Sequence, residues 1–311
     1  MPECSNREII CQELLKAVGE DRDLVVLCSD SRGSASLAPF AERFPSQFVE
    51  LGIAEQNLVS VAAGMALCGK RPFAASPACF LSSRALEQAK VDVAYSAANV
   101  KLIGISGGIS YGALGMTHHS TQDIAAFSSL PGMRVFLPCD GHETQALMKL
   151  LLKDGSPAYL RVSRSPSRDV YESEPQDLTP GRMIEVRPGR DVTLIGCGET
   201  VAIAKDAAAL LKESGIEARV LDSFCLKPFD GAAVQRAATE TRGIVTIEEH
   251  QPQGGLGALC AQAAARRGGC PVRSIALPDA PLIAGSQREV FDYYGLTAQN
   301  LADTAARLVR G

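Results

Sequence analysis

The chain has 311 residues, 46% apolar and 21% charged, a composition typical of a globular protein with two domains of ordinary size. Its net charge of −4 comes from interspersed residues, and no basic run is available to bind nucleic acid. Charges interrupt the N-terminal stretch where a signal peptide would be apolar, and no apolar run reaches the roughly 18 residues of a membrane span. We therefore expect no nucleic-acid or membrane binding.

Ten cysteines are scattered singly along the chain, with no C-x-x-C pair and no histidine at metal-ligand spacing. Most of them stand inside apolar runs such as VVLCSD and LIGCGE, where a thiol behaves as a small hydrophobic group. The pattern predicts reduced, buried core residues of a cytoplasmic protein rather than disulfides or zinc ligands.

Apolar runs alternate with helical patterns through the first half of the chain. Continuously apolar runs predict strands buried on both faces, at 23–30, 101–106, 133–138 and 158–163. Amphipathic or apolar segments between them predict helices, including 6–20, 55–69, 83–98 and 142–153. This alternation indicates right-handed crossovers and a mainly parallel sheet covered on both sides.

The stretch 163–190 is rich in proline, serine, arginine and acids, which predicts a linker that is partly hairpin-like at its end. The alternation then restarts, with strands predicted at 191–198, 217–222, 243–249 and 272–277 and a helix at about 200–214. The sequence predicts an α/β fold of two consecutive domains, each a mainly parallel sheet flanked by helices. Their predicted extents are 1–170 and 191–311, with the linker at 171–190.

Two glycine-containing stretches are candidates for ligand binding. GCGETV (196–201) lacks the third glycine of a dinucleotide fingerprint, so it predicts a tight strand-to-helix turn. GGISYGALGMTHHSTQD (107–123) places four glycines and two adjacent histidines after a buried strand, where open α/β sheets bind ligands. The histidines could equally be an accidental surface pair, and the residues alone leave both interpretations open.

Glu55 is the single carboxylate of the apolar helix LGIAEQNLVSVAAGMALCGK (51–70). A helix N-terminus stabilises a negative charge, so spacing alone favours an ordinary first-turn residue that faces water. The alternative is a carboxylate that points into a buried site.

Several separate motifs, in order along nearly the whole chain, resemble the transketolase family. FVELGIAEQNLVSVAAGMALCGKRPFAAS (48–76) looks like its pyrimidine-binding domain, and GALGMTHHSTQDIAAFSSLPGMRVFLPCD (112–140) like its G-x-T-H segment. LRVSR (160–164), VLDSFCLKPFD (220–230) and IEEHQPQGGLG (247–257) continue the likeness into a transketolase C-terminal domain. The resemblance implies that the two domains are these two.

A full-length transketolase begins with a diphosphate-binding domain whose G-D-G…N motif holds the metal and the diphosphate, and this sequence has no G-D-G. The resemblance therefore implies the C-terminal subunit of a split transketolase. It implies thiamine diphosphate as cofactor, with Mg²⁺ or another divalent metal held mainly by an N-terminal partner subunit. We also expect a dimer of these chains within a heterotetramer, with the helices at 55–69 and 83–98 in the interface.

The resemblance also implies roles for four residues near the reacting centre. Glu55 matches the acid that meets the aminopyrimidine nitrogen of the cofactor, as a catalytic and cofactor-binding residue. Phe80 matches the aromatic residue that packs on the pyrimidine ring. His118 matches the T-H histidine that contacts substrate hydroxyls and takes part in catalysis, and His119 beside it is a weaker candidate for substrate binding.

Arg7, Ser34 and Arg164 match positions that contact the sugar phosphate, for which a guanidinium group is well suited. Two positions depart from the usual pattern, because Ser106 and Leu114 stand where transketolases carry a histidine and an aspartate that line the sugar channel. These departures put the usual pentose-phosphate substrates in doubt, and they are compatible with a branched, sulfonated or otherwise unusual ketose.

The leading hypothesis is transfer of a two-carbon ketol unit from a ketose to an aldose. A beta-type subunit of a 2-oxoacid dehydrogenase and a deoxyxylulose-phosphate-synthase-like enzyme share the two-domain half and stay open. THHS and GIAEQN favour transketolase over both. A non-catalytic small-molecule-binding protein on the same fold also stays open, since a fold does not define a function.

Overall fold

Two sheets organise the part of the chain that the computed structural model describes, which is residues 4–19, 21–266, 268 and 270–310. Their strands in chain order are β1 (Leu24–Cys28), β2 (Phe48–Glu50), β3 (Arg71–Pro77), β4 (Lys101–Ile105), β5 (Arg134–Phe136), β6 (Ala158–Val162), β7 (Ile184–Arg187), β8 (Val192–Gly196), β9 (Ala218–Asp222), β10 (Cys225–Lys227), β11 (Ile244–Ile247) and β12 (Val272–Ile275).

The first sheet has the strand order β10-β5-β6-β4-β3-β1-β2, and the second has the order β12-β11-β8-β9-β7. Within each sheet the strands are parallel, except that β10 and β7 each pair antiparallel with a neighbour. The predicted α/β fold with two mainly parallel sheets is therefore confirmed. Because β10 comes from the second half of the chain but completes the first sheet, the domain boundaries at 170 and 191 stay predictions.

Helices cover both faces of these sheets. In chain order they are α1 (Asn6–Val18), α2 (Ala38–Arg43), α3 (Glu55–Leu67), α4 (Ala78–Ser83), α5 (Leu86–Gln88), α6 (Asp123–Ser128), α7 (Gly141–Leu151), α8 (Thr200–Glu213), α9 (Gly231–Glu240), α10 (Leu256–Ala265), α11 (Gln287–Tyr294) and α12 (Ala298–Arg310). A π-helix spans Ala89–Tyr95, and 3₁₀ turns span Pro45–Gln47 and Gly112–Thr117.

Strand β1 explains why the predicted strands are apolar at every position. Leu24 and Val26 belong to the core that packs against α1, whereas Val25 and Leu27 belong to the core that packs against α3. Since side chains of a strand alternate between the two faces of a sheet, a strand covered on both faces needs apolar residues throughout.

The single helix predicted at 83–98 is wrong. The chain forms α4 and α5 there, separated at Arg84 and Ala85, and continues as the π-helix. Ala85 leaves the helical conformation, with φ −108° and ψ 16°. The wider π-helical turns bury Val93, and the Ser60 hydroxyl on α3 donates a 2.6 Å hydrogen bond to Asp92. Packing against α3 therefore overrides the regular helical spacing.

The hairpin-like end predicted for the linker is also wrong, because β7 pairs with β9 instead of a neighbouring segment. The strand-to-helix turn predicted at 196–201 is confirmed between β8 and α8. All ten cysteines are free thiols, most of them buried, as the sequence predicts. Among the helices that the structure describes, none is both long enough and apolar enough to cross a membrane.

Candidate active site

A cleft of about 320 Å³ opens at the carboxyl ends of β1, β3, β4 and β6, which are adjacent in the first sheet. Parallel strands bring the loops that follow them to the same edge, so residues distant in sequence meet there. The cleft is lined by Ser29, Asp30, Ser31, Ser34, Ile53, Glu55, Pro77, Phe80, Tyr111, Leu114, His118 and Arg164.

Glu55 is the first residue of α3 and is only 2% exposed, although it lines the cleft. Its Oε2 atom lies 2.6 Å from Nη1 of Arg84, which compensates the buried negative charge. The carboxylate therefore points into the protein, and the water-facing alternative does not hold. Among the residues that the structure describes, no side chain caps the N-terminus of α3.

Arg84 is a residue of this cleft region that the sequence reasoning missed. Its guanidinium carbon lies 4.6 Å from the centre of the Phe80 ring, so the same group contacts both Phe80 and Glu55. Arg84 follows Phe80 by four residues, which places the two side chains on one face of a helical turn. That spacing could have indicated the contact with Phe80, but not the one with Glu55.

A row of rings continues from Phe80 across the cleft. The His118 ring lies 5.3 Å from the Phe80 ring, edge-on, and 5.6 Å from the Tyr111 ring. Tyr111 in turn lies under the guanidinium group of Arg164, at 4.9 Å. Thus His118 stands between two aromatic side chains, and Tyr111 is a second residue that the sequence reasoning missed.

The two adjacent histidines face different environments. His118 is half-buried and lines the cleft, and its Nδ1 lies 2.9 Å from the Thr117 hydroxyl, a hydrogen bond that restrains the ring. His119 is 2% exposed, its Nε2 lies 3.3 Å from the Gly112 carbonyl oxygen, and burial lowers its pKa. The structure therefore brings His118 to the cleft but not His119. Gly115, with φ 71°, makes the backbone bend that precedes them.

The opposite end of the cleft is basic. Ser34 and Arg164 line it, and Arg7 lies behind them, donating hydrogen bonds to the backbone carbonyls of both residues. Burial and the neighbouring charge of Arg164 lower the pKa of Arg7. Two guanidinium groups this close favour an anion at this end.

The two departures from the usual pattern have different positions. Ser106 follows β4 with a left-handed φ of 56° and is fully buried, away from the cleft surface. Leu114 is 54% exposed and lines the cleft. Of the two, Leu114 presents its apolar side chain to a ligand.

A cluster of titratable side chains lies outside the cleft, where α7, β9 and the linker meet. Cys139, Glu143 and Asp222 form a buried group compact enough for a metal ion, and no second such group occurs in the described ranges. Glu143 Oε1 and Asp222 Oδ1 are buried and have no hydrogen-bond partner among the described residues, and the ligand atoms of the cluster all lie within 4.8 Å of one another. Since two buried carboxylates repel each other, this proximity favours a proton shared between them. The Tyr171 hydroxyl donates to Asp222 at 2.7 Å.

Comparison with known proteins agrees with this architecture. The family described as transketolase, pyrimidine binding domain, matches residues 3–169, and the family described as transketolase, C-terminal domain, matches residues 181–301. The chain is 45% identical over 311 residues to an apulose-4-phosphate transketolase subunit from Phocaeicola vulgatus, covering 98% of this chain and 99% of the relative. It is 34% identical over 299 residues to a 6-deoxy-6-sulfo-D-fructose transketolase subunit from Clostridium sp. (strain MSTE9), covering 96% and 92%.

A solved structure described as a split gene transketolase, inactive beta4 tetramer, superposes with a TM-score of 0.89 at 34% identity and covers 98% of both chains. The two mainly parallel sheets, with a cleft at the carboxyl edge of the first, thus place the chain among the α/β proteins that combine a transketolase pyrimidine-binding domain with a transketolase C-terminal domain. More narrowly, the chain belongs to the transketolase family, and its likeness extends over the full length of split-transketolase subunits.

Proposed function

We propose that this chain is one subunit of a two-chain, thiamine-diphosphate-dependent transketolase, which transfers a two-carbon ketol unit from a ketose phosphate to an aldose. One observation carries the proposal: Glu55, Phe80 and His118 come from three separate segments and line a single cleft. The relatives that match over their full length are named as transketolase subunits, which supports the same reaction.

The wall formed by α3 and α4 fits the aminopyrimidine ring of thiamine diphosphate. Phe80 offers an aromatic surface for stacking, and Glu55, which is only 2% exposed, offers an acceptor for a ring nitrogen. When bound, the cofactor supplies a stabilised carbanion equivalent for the cleavage and formation of carbon–carbon bonds. Glu55 holds and shares a proton at the ring nitrogen, and low water access strengthens this hydrogen bond.

The opposite side of the cleft fits a phosphorylated sugar. His118 exchanges hydrogen bonds with substrate hydroxyls, and Arg164, with Arg7 behind it, attracts the phosphate. Leu114 offers no hydrogen bond to a hydroxyl, so we propose a ketose that differs from the common pentose phosphates at this position. Apulose 4-phosphate and sulfofructose, the substrates in the names of the two relatives, are the first compounds to test.

We propose that an N-terminal transketolase subunit supplies the ligands for the diphosphate and for Mg²⁺ or another divalent metal.

We also propose that two copies of this chain associate through α3 and the π-helix. Large apolar side chains are exposed there, with Leu67 at 65%, Val91 at 41% and Tyr95 at 87%. Such exposed apolar groups on neighbouring elements are typical of an interface. Tyr95→Asp should shift the assembled protein toward smaller species in light scattering.

The decisive experiment is to co-express this chain with a candidate partner chain that carries the G-D-G…N motif. The purified complex is given ketose phosphates, sulfofructose or 2-oxoacids as donors, with aldose phosphates as acceptors, and donor consumption is measured. Ketol transfer from a ketose supports the proposal, whereas turnover of 2-oxoacids alone contradicts it. His118→Ala should reduce turnover strongly, and His142→Ala, at the start of α7, is the matched control.

The free thiols favour a cytoplasmic location, which fractionation would test.

A further inference from the structure

The glycine-rich segment 106–120, here called the site loop, is bound by the second half of the chain. Glu249, which follows β11, accepts a 2.9 Å hydrogen bond at Oε1 from the backbone N–H of Ile109. Its other oxygen, Oε2, lies 3.2 Å from Nη2 of the buried Arg161. The side-chain amide of Gln287 donates to Glu249 Oε1 at 2.9 Å. One buried carboxylate thus joins the site loop, the first sheet and α11.

A second contact lies a few residues further along the site loop. The N–H of Gly285 donates a 3.2 Å hydrogen bond to the carbonyl oxygen of Gly112. A Cβ atom at Gly112 would lie only 2.1 Å from the carbonyl oxygen of Gly285, and one at Gly108 only 2.2 Å from the carboxyl carbon of Glu249. Glycine is therefore required at both positions, because the second half of the chain approaches the backbone directly.

We propose that the second domain positions the site loop, with Glu249, Gln287 and Gly285 fixing the conformation that carries Tyr111 and His118 into the cleft. All three residues belong to the second half of the chain, so this restraint on the site loop comes from outside the first domain. The importance of the loop for catalysis rests on the proposed function, but its positioning does not. Glu249 and Gln287 are positioning residues, since they act on the cleft through the loop.

Hydrogen exchange in the site loop tests this proposal without cofactor or substrate. Gln287→Ala removes the donor to Glu249 at a half-buried position, so the chain should still fold. We expect exchange of amides in 106–120 to accelerate about tenfold, as for the loss of a hydrogen bond that restrains a local opening. Gln299→Ala is the matched control, because Gln299 also donates its side-chain amide to a carboxylate, that of Asp303, on the surface of the same domain. It should leave the loop unchanged.

Two further variants separate positioning from general stability. Glu249→Gln keeps an oxygen that can accept from Ile109, so it should retain more protection of the loop than Glu249→Ala. Gly112→Ala should accelerate amide exchange in the loop as Gln287→Ala does, because the added methyl group collides with the carbonyl oxygen of Gly285. Unchanged exchange in the loop for both Gln287→Ala and Gly112→Ala would overturn the proposal. So would equal acceleration throughout the chain, since that result indicates only a loss of global stability.

A kinetic measurement on the two-chain enzyme provides a second readout. Glu55 and Phe80 stand on the α3–α4 wall, which the positioning residues do not contact in the described structure. Gln287→Ala should therefore lower kcat/KM several-fold while the affinity for thiamine diphosphate stays unchanged. An equal loss of cofactor affinity would contradict selective positioning of the loop. If the proposed activity itself is absent, the exchange results still decide whether the second domain holds the loop.

Discussion

The buried pair of Glu143 and Asp222 makes a specific prediction about stability and pH. Both carboxyl groups are fully buried, and burial raises the pKa of each, with the charge of Asp222 raising that of Glu143 further. The Cys139 thiol, Asp140 and Tyr171 are the other titratable groups that face them. Glu143→Gln replaces one acid with a permanently neutral amide of nearly the same shape. The amide can donate a hydrogen bond to Asp222, so no proton needs to be shared.

The magnitude follows from the pKa of Asp222, which is about 6 in the folded chain and about 3.9 in an unfolded one. The difference of about 2 pH units corresponds to about 3 kcal/mol, at roughly 1.36 kcal/mol per unit. Because the folded pKa is the higher one, this stability is fully present below about pH 4 and is lost as the pH rises through about 6. Glu143 adds a loss in the same direction, since burial raises its pKa as well.

The assay is urea unfolding of the isolated chain, followed by circular dichroism at several pH values from roughly 4.5 to 7.5. Over this range the parent should lose most of the roughly 3 kcal/mol that comes from Asp222 and, in addition, the contribution of Glu143, whereas Glu143→Gln keeps only the Asp222 part and should fall less steeply with pH. Glu42→Gln, at an exposed position of α2, is the control and should follow the parent. Parallel curves for the parent and Glu143→Gln would refute the shared proton. A variant that is destabilised equally at every pH would indicate a packing defect instead.

Three further predictions concern the cleft. Glu55→Gln in the two-chain complex should abolish or nearly abolish turnover, and near-normal activity in a purified complex would contradict its role at the cofactor. Arg84→Met leaves the buried Glu55 carboxylate without its cation, so the isolated chain should lose about 1–3 kcal/mol of stability in thermal unfolding. Arg236→Met, at an exposed position of α9, is the control. Equal melting temperatures for the two variants would refute the pairing of Arg84 with Glu55. Thiamine diphosphate with Mg²⁺ should stabilise the isolated chain only slightly, whereas a large thermal shift would show that the partner is not needed for binding.

Local sequence patterns predict much of the architecture, because burial of a strand or of a helix face imposes residue types over short distances. The strand at 24–28 is apolar throughout since both its faces are covered, and its position is clear from the sequence. The helix predicted from residue 6 likewise agrees with α1, whose N-terminus the structure closes with a capping box of Ser5 and Glu8. The single helix predicted at 83–98 failed because a regular spacing does not reveal a π-helix that forms through packing on α3.

The sequence also predicts part of the candidate site. The residues Glu55, Phe80 and His118 stand in motifs that resemble a known family, and the structure places all three on one cleft. Tyr111 and Arg84 carry no comparable signal, because aromatic and basic side chains are common near glycines and helix ends. His119 is a residue that the motif suggested but that does not reach the cleft, since adjacent residues of one motif point in different directions once the backbone bends at Gly115.

By itself, the sequence determined the α/β class, the two mainly parallel sheets and the segments that form the cleft. Only the tertiary structure decided that Arg84 compensates Glu55, that β10 crosses to the first sheet, and that Glu249 reaches the site loop. The physical reason is the distance along the chain. Apolar periodicity is a local consequence of burial, whereas a hydrogen bond between residues 140 positions apart depends on the path of the whole chain.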